Sequence, residues 1–194
     1  CIFGGMVAGP NAVEYIKGLD KSAEDLSSNI FDSEQKKQQQ KYENILKMDG
    51  NENPYVLHKE LGEWMTNNVT VVRYNDKLEQ TDNKIQELME RYKKIGMTDA
   101  SKFGNQAATF TRHLWNMLEL ARVITIGALM RNESRGAHYK PDFPERDDEN
   151  FLKTTKAAWT PDGPSISYED VDISLIPPRK RDYTTDKQST KGGK

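Results

Sequence analysis

Proline is distributed unevenly along this chain, and the distribution limits where long helices can form. Six of the eight prolines lie between residues 141 and 178. They are Pro141, Pro144, Pro161, Pro164, Pro177 and Pro178. A proline inside a helix removes one backbone hydrogen bond, and its ring clashes with the preceding turn. The sequence therefore predicts long helices up to Asn132 and extended or turn structure after it.

Apolar periodicity predicts the first helices. Residues 2–17 and 33–48 are expected to be helical, with irregular chain over residues 18–32. Asn53 and Pro54 then supply the N-cap and the first residue of a third helix.

A fourth helix is expected to begin at Asn75 or Asp76. Its apolar residues recur at steps of 7, 3, 4 and 3, which is typical of a helix-packing seam. They are Leu78, Ile85, Leu88, Tyr92 and Ile95. Gly96 suits the position after the end of that helix. The longest helix is predicted over residues 106–132. We expect a mainly all-α fold, with an antiparallel three-helix bundle of the spectrin-repeat kind.

The proline-rich part carries signs of a hairpin. Residues 154–159 and 166–173 are strand-like, and the Pro-Asp-Gly-Pro sequence at 161–164 lies between them. Together these features predict four regions. Residues 1–31 are a remnant of a preceding domain with its linker, 32–132 the helical bundle, 133–178 an extended docking segment with the hairpin, and 179–194 a basic flexible tail. The apolar, uncapped opening without Met indicates a chain entered partway.

Charge and composition argue against several classes of function. The net charge is −2, from 28 basic and 30 acidic residues. That balance gives no general attraction to nucleic acid. No run approaches the ~20 apolar residues of a transmembrane helix. The three histidines and the single cysteine have no metal-ligand spacing. We therefore expect no metal site and no nucleic-acid partner.

Charged side chains concentrate directly after the longest predicted helix. The candidate site residues there are Glu133, Ser134, Arg135, Gly136, His138 and Arg146. Two interpretations fit this group. It could be an ion-pair lock between the end of the helix and another domain, or it could border an anionic ligand. An arginine and histidine cluster of this kind is more often an ion-pair network than a reactive site, which favours the lock.

The sequence at 133–138, Glu-Ser-Arg-Gly-Ala-His, is followed by Asp142 and the acidic run 144–149. With the segments 2–9, 61–73 and 177–183, it resembles the C-terminal region of the succinate dehydrogenase and fumarate reductase flavoproteins. L-aspartate oxidase carries a similar Ser-Arg-Gly-x-His segment. Ala137, the acidic run and the Pro-Pro-Arg-Lys-Arg sequence favour a bacterial succinate dehydrogenase.

The resemblance implies a parent subunit that oxidises succinate to fumarate with FAD. It also implies that electrons pass to an iron–sulfur subunit, a membrane-anchor cytochrome subunit and quinone, at the cytoplasmic face of the cell membrane. The family's catalytic and flavin-binding residues are expected before Cys1. This chain is therefore expected to contain no catalytic or cofactor-binding residue, to bind no FAD and to dock on the flavin-binding domain of the same subunit.

Two further expectations concern the chain by itself. A free-standing helical interaction module is the alternative of another class, and the coding sequence upstream would distinguish it. An apolar patch near Phe3, Met6 and Val7 is expected to be exposed where the flavin domain is missing, and such a patch predicts weak self-association.

Overall fold

The computed structural model describes residues 1–179. These residues form six α-helices, one short 3-10 helix at Ala23–Asp25 and one antiparallel two-stranded sheet. The mainly helical fold and the late hairpin are confirmed, whereas the three-helix bundle type stays a prediction. Apart from Arg179, the flexible tail expected at residues 179–194 lies outside the described residues.

The described helices and strands have the following bounds. They are α1 (Ile2–Lys17), α2 (Ser28–Leu46), α3 (Pro54–Asn68), α4 (Asn75–Tyr92), α5 (Gln106–Met130), α6 (Asp148–Phe151), β1 (Lys153–Ala158) and β2 (Ser165–Asp170). Both ends of α1 and the predicted starts of α3, α4 and α5 are confirmed. No helix within residues 1–179 is long and apolar enough to cross a bilayer.

The chain divides into two compact units, of which the first comprises Cys1–Asn51 and Lys94–Arg112. Its helix α1 has no buried residue, and α2 buries only Ile45. The apolar side chains of Phe3 and Met6 are 80% and 71% exposed, which confirms the expected patch. Because α1 buries nothing within the described chain, its apolar residues do not contribute to a core there.

Two expectations in this unit were wrong. Helix α2 begins at Ser28, within the segment expected to be irregular, and Ser33 lies inside it as a donor to the Ile30 carbonyl. Serine costs a helix only a few tenths of a kcal/mol, so polar residues did not stop it. Gly96 does not follow the end of α4 but forms a bridge with Asp49. A Cβ at Gly96 would lie 2.1 Å from the Gly50 oxygen, so close backbone approach explains this glycine.

The second unit comprises Glu52–Lys93 and, of the described residues after it, 113–179. Helices α3 and α4 pack against each other there. The predicted seam on α4 is confirmed, since Leu78, Ile85 and Leu88 are fully buried. Burying one such side chain contributes roughly 1.5–3 kcal/mol. Asn53 accepts from the Tyr55 N–H as the predicted N-cap of α3.

The hairpin follows α5 and α6 in the same unit. Lys153 pairs with Asp170 at one end, and Ala158 pairs with Ser165 at the other. Thr160 closes the connection by donating from its hydroxyl to the Gly163 carbonyl at 2.6 Å. Gly163 has a φ of 126°, which explains a glycine at this point of the turn.

Candidate functional site

A tight turn lies at the centre of the candidate residues. The backbones of Arg135 and His138 exchange two hydrogen bonds, of 2.8 and 3.0 Å. Gly136 has a φ of 59°, and no residue other than glycine has positive φ in the described chain. Positive φ at the first central position only is the pattern of a type II′ turn. Glycine therefore lets the chain reverse directly after Arg135.

A buried carboxylate holds the side chains on one flank of this turn. Glu133 is fully buried at the end of α5. Its Oε1 accepts from Arg131 and, at 2.9 Å, from Arg135 Nε. Its Oε2 accepts from Arg135 Nη2 at 3.1 Å and from the Asp147 N–H at 2.9 Å. Both oxygens are thus engaged, as a buried charge requires.

Two opposing effects determine the pKa of Glu133. Burial raises the pKa, because it disfavours the ionised form. The hydrogen bonds from Arg135, the Asp147 N–H and Arg131 act in the opposite direction and outweigh burial, so the pKa lies below its ordinary value. Glu133 is therefore ionised at neutral pH, and its oxygens are occupied rather than available to accept a proton from a substrate.

The acidic run after the turn supplies a second carboxylate to the same group. Asp148 accepts from Arg135 at 2.6 Å and from Arg146 at 2.7 Å. The Arg135 hydrogen bond is the largest cause of its lowered pKa. We call this group the Glu133 cluster. Its members are Arg131, Glu133, Arg135, Arg146 and Asp148.

Arg131 connects the Glu133 cluster to the hairpin. Its guanidinium donates to the carbonyls of Phe151 and Lys153 at 2.8 and 2.7 Å, and to the Thr155 hydroxyl at 3.0 Å. It also lies 5.6 Å from the ring centroid of Tyr168 on the second strand. One side chain at the end of α5 thereby fixes the start of β1 against the helix.

Ser134 closes the loop beyond the turn. Its hydroxyl donates to the Phe143 carbonyl at 2.8 Å and accepts from the Lys140 N–H at 3.0 Å. Its own N–H donates to the Glu145 carbonyl at 3.1 Å. These bonds satisfy backbone groups of a segment in which prolines prevent regular pairing.

A different charge arrangement lies on the other flank of the turn. His138 Nδ1 faces Arg73 Nη1, and His138 Nε2 lies 2.9 Å from the Arg131 carbonyl. Since a guanidinium only donates, Nδ1 accepts and Nε2 carries the proton. Burial lowers the pKa of His138, and the charges of Arg73, Lys140 and Arg131 add to this effect. The imidazole is therefore held neutral.

Lys140 is the largest fully buried side chain of the described chain, at 1% exposure. Its ammonium donates to the Leu129 carbonyl and to Asn132 Oδ1, both at 3.0 Å, near the end of α5. A cation suits the carbonyl end of a helix. Burial lowers the pKa of Lys140 to about 8, with Arg73 as the next cause. We call Arg73, His138 and Lys140 the cation cluster.

All six candidate residues lie in one segment of the second unit. Two further residues of the site, Arg73 and Lys140, were missed by sequence reasoning. Arg73 is 65 residues from His138, and no local pattern connects them. Lys140 was missed because a lysine is almost never fully buried. Within residues 1–179, no three potential metal ligands converge.

The sequence of this chain, including the segment that holds the candidate site, matches a known protein family. Residues 58–183, more than half of the chain, match the family model described as fumarate reductase flavoprotein C-term. The chain is 64% identical to the succinate dehydrogenase flavoprotein subunit of Bacillus subtilis over 96% of its own length and 32% of the relative's. It is 34% identical to a fumarate reductase flavoprotein subunit of Serratia, over 92% of its length and 30% of the relative's.

A solved structure of Escherichia coli quinol fumarate reductase has a similar fold. It superposes with a TM-score of 0.79 at 31% identity, over 91% of this chain and 30% of that one. The chain therefore spans about a third of the length of the relatives it matches.

Proposed function

The chain belongs to the succinate dehydrogenase and fumarate reductase flavoprotein family, and we propose that it is the C-terminal structural region of a subunit that oxidises succinate to fumarate. The observation that carries the choice of succinate is the high identity to one succinate dehydrogenase subunit. Identity is 64% to a succinate dehydrogenase subunit and 34% to a fumarate reductase subunit, over nearly the same share of this chain.

We propose that flavin chemistry belongs to another part of the subunit. In this proposal FAD binds to a flavin-binding domain that precedes Cys1, and residues 1–31 connect to that domain. Residues 32–132 form the helical bundle, 133–178 the docking segment and 179–194 the basic tail. The engaged oxygens of Glu133 support a structural role for the docking segment, because a proton-transfer group needs a free site.

The proposed partners follow from the same family. Electrons would pass from the flavin to an iron–sulfur subunit and then to a membrane-anchor cytochrome subunit and quinone. The subunit would then lie at the cytoplasmic face of the cell membrane. That one related structure is a quinol fumarate reductase supports a quinone-linked complex.

The decisive experiment uses the full-length subunit assembled with its partner subunits. We expect succinate-dependent reduction of an artificial electron acceptor at a rate well above fumarate reduction driven by a reduced viologen. The reverse ratio would favour fumarate reductase, the second candidate, which the family model and the related structure support. Oxidation of L-aspartate with no turnover of succinate would contradict both.

The chain expressed alone tests its structural role. We expect the purified chain to show no flavin absorbance and no succinate oxidation, because the proposed flavin site lies elsewhere. A stoichiometric flavin band would contradict this. The 80% exposed Phe3 side chain also supports weak self-association of the isolated chain. Sedimentation that shows only monomer at high concentration would argue against it.

A further inference from the structure

Arg73 has no acidic partner among the described residues, whereas five other arginines of its unit have one. Arg91, Arg122, Arg131, Arg135 and Arg146 each pair with a carboxylate. Arg73 is partly buried, and burial alone lowers its pKa, with no acid acting in the other direction. Desolvating a guanidinium without a counter-charge is costly. The described chain therefore leaves this charge uncompensated.

The guanidinium of Arg73 is nevertheless held in a fixed orientation. Its Nε donates to the Val69 carbonyl at 2.6 Å, and its Nη1 donates to His138 Nδ1. Of its five N–H donors, only these two have a partner in the described chain. The remaining donors belong to Nη1 and Nη2, the pair of nitrogens that binds a carboxylate through two parallel bonds.

Exposed apolar and aromatic side chains surround this arginine. Val71, Val72, Tyr74 and Tyr139 are 64%, 41%, 40% and 44% exposed. The backbone fixes them relative to Arg73, since Val72 bridges Tyr139 and the Arg73 N–H donates to the Tyr139 carbonyl at 3.0 Å. We call these five residues the Arg73 surface. Arginine and tyrosine are enriched at the energetic centres of protein interfaces.

We propose that the Arg73 surface is a docking site for the preceding part of the same subunit, which places a carboxylate on the free nitrogens of Arg73 and apolar groups against the tyrosines. This proposal rests on the proposed function, because that function requires a flavin-binding part of the subunit before Cys1. The incoming carboxylate supplies the counter-charge that Arg73 does not have among the described residues. It would be shielded from water by the apolar rim, which strengthens the ion pair.

The size of the Arg73 surface decides between partners. A stable interface between separate proteins uses about 20–30 residues on each side. Five residues are too few to hold a separate subunit. They suffice within one covalent chain, where the second contact forms at an effective concentration of the order of millimolar. The occupant is therefore a segment of the same polypeptide rather than a partner subunit.

Zero-length cross-linking in the full-length subunit tests the contact directly. In Arg73→Lys, the new amine lies where the guanidinium lay, and a carbodiimide joins it to any carboxylate in contact with it. We expect an amide cross-link, identified by mass spectrometry, from position 73 to an acidic residue that precedes Cys1. Arg112→Lys is the matched control, because Arg112 is exposed and, among residues 1–179, its side chain donates only to the Gln38 amide carbonyl.

A second substitution separates docking from folding. Adding Val71→Asp to Arg73→Lys places a competing carboxylate beside the site while leaving the bonds of the 73 backbone intact. We expect the cross-link to the preceding part to fall about tenfold, since like charges in contact repel strongly. Adding Val56→Asp, at a 50% exposed valine on α3, should leave it unchanged. An equal fall in both variants would overturn the proposal.

Other outcomes also overturn it. A cross-link from position 73 only to this chain, only to the iron–sulfur subunit, or to nothing would contradict the proposed occupant. If Arg73→Lys does not fold, phenylglyoxal labelling of the unaltered subunit decides. The rate for Arg73 is compared with its rate in Val71→Asp: equal rates would exclude docking, and faster labelling in Val71→Asp supports it. Both experiments are read by mass spectrometry and do not depend on succinate turnover. A negative result would therefore contradict the docking site without bearing on the proposed function.

Discussion

The two flanks of the turn at Gly136 bury charge in opposite ways. In the Glu133 cluster, two carboxylates lie among three arginines, and the fully buried Glu133 has both oxygens engaged. The cation cluster places Arg73, His138 and Lys140 together without a carboxylate in hydrogen-bond contact. The first arrangement is electrostatically complete within the described chain, and the second is not.

The two flanks therefore contribute to the free energy of unfolding in different pH ranges. The lowered pKa of Glu133 means that its contribution is fully present above the unfolded pKa of about 4.5 and is lost as pH falls below it. The lowered pKa of Lys140 has the opposite effect, because at neutral pH this group lowers the free energy of unfolding instead of raising it. There the charged lysine is held at a cost, and the fold gains stability when that proton leaves. The Glu133 cluster thus holds its buried charge in paired form, whereas the cation cluster holds the Lys140 charge at a cost.

The largest expected effect comes from removing the buried carboxylate. Glu133→Gln leaves Arg131 and Arg135 without their shared charge, and we expect the free energy of unfolding to fall by about 3–5 kcal/mol. Urea denaturation at pH 7 measures it. Glu149→Gln is the control, because Glu149 is an exposed carboxylate in the same segment. Similar small losses in both variants would show that the Glu133 cluster is not a lock.

The next largest effect is the pH dependence of stability that Lys140 causes, which distinguishes the cation cluster from the Glu133 cluster. The unfolded lysine keeps its proton up to about pH 10.5, whereas Lys140 in the fold releases it near pH 8. The free energy of unfolding of the wild type, relative to Lys140→Met, should therefore rise by about 1–3 kcal/mol from pH 8 to pH 10.5. Denaturation curves at several pH values measure this difference. A flat difference would mean that the buried ammonium does not titrate there.

The turn between the two clusters gives a smaller effect. Gly136 has a φ of 59°, and a Cβ there would meet no atom within 4 Å. Gly136→Ala should therefore cost about 1–2 kcal/mol from backbone strain alone. Thermal unfolding measures it, with Gly62→Ala as the control. Gly62 lies in helix α3 with open space and no positive φ, so alanine there should be neutral or stabilising.

The smallest expected effect belongs to His138. Its pKa is lowered, so protonation below about pH 6.5 weakens the fold, and the stability it contributes is present above that value. Between pH 7 and pH 5 the wild type should therefore lose more stability than His138→Gln, in which an amide oxygen can still accept from Arg73. Equal slopes for the two proteins, measured by denaturation across that range, would contradict the neutral imidazole.

Local sequence signals predicted much of the backbone. Asn53 and Pro54 mark the start of α3 because capping and a preset φ act within one turn. The Pro-Asp-Gly-Pro connection identified the hairpin for the same reason, and β1 and β2 pair on either side of it. The start of α2 was missed because serine and aspartate are favoured at caps but are also tolerated inside a helix at a small cost, and only the structure shows which role they take.

The candidate site was predicted as a segment but not as an arrangement. The sequence determined that Glu133, Arg135 and His138 would lie together beside a glycine turn, because they are only a few residues apart. Tertiary structure alone decided that Arg73 reaches His138 from 65 positions away and that Lys140 is buried. The physical reason is that capping, turns and periodicity act over a few residues, whereas burial and charge compensation depend on side chains brought together from distant parts of the chain.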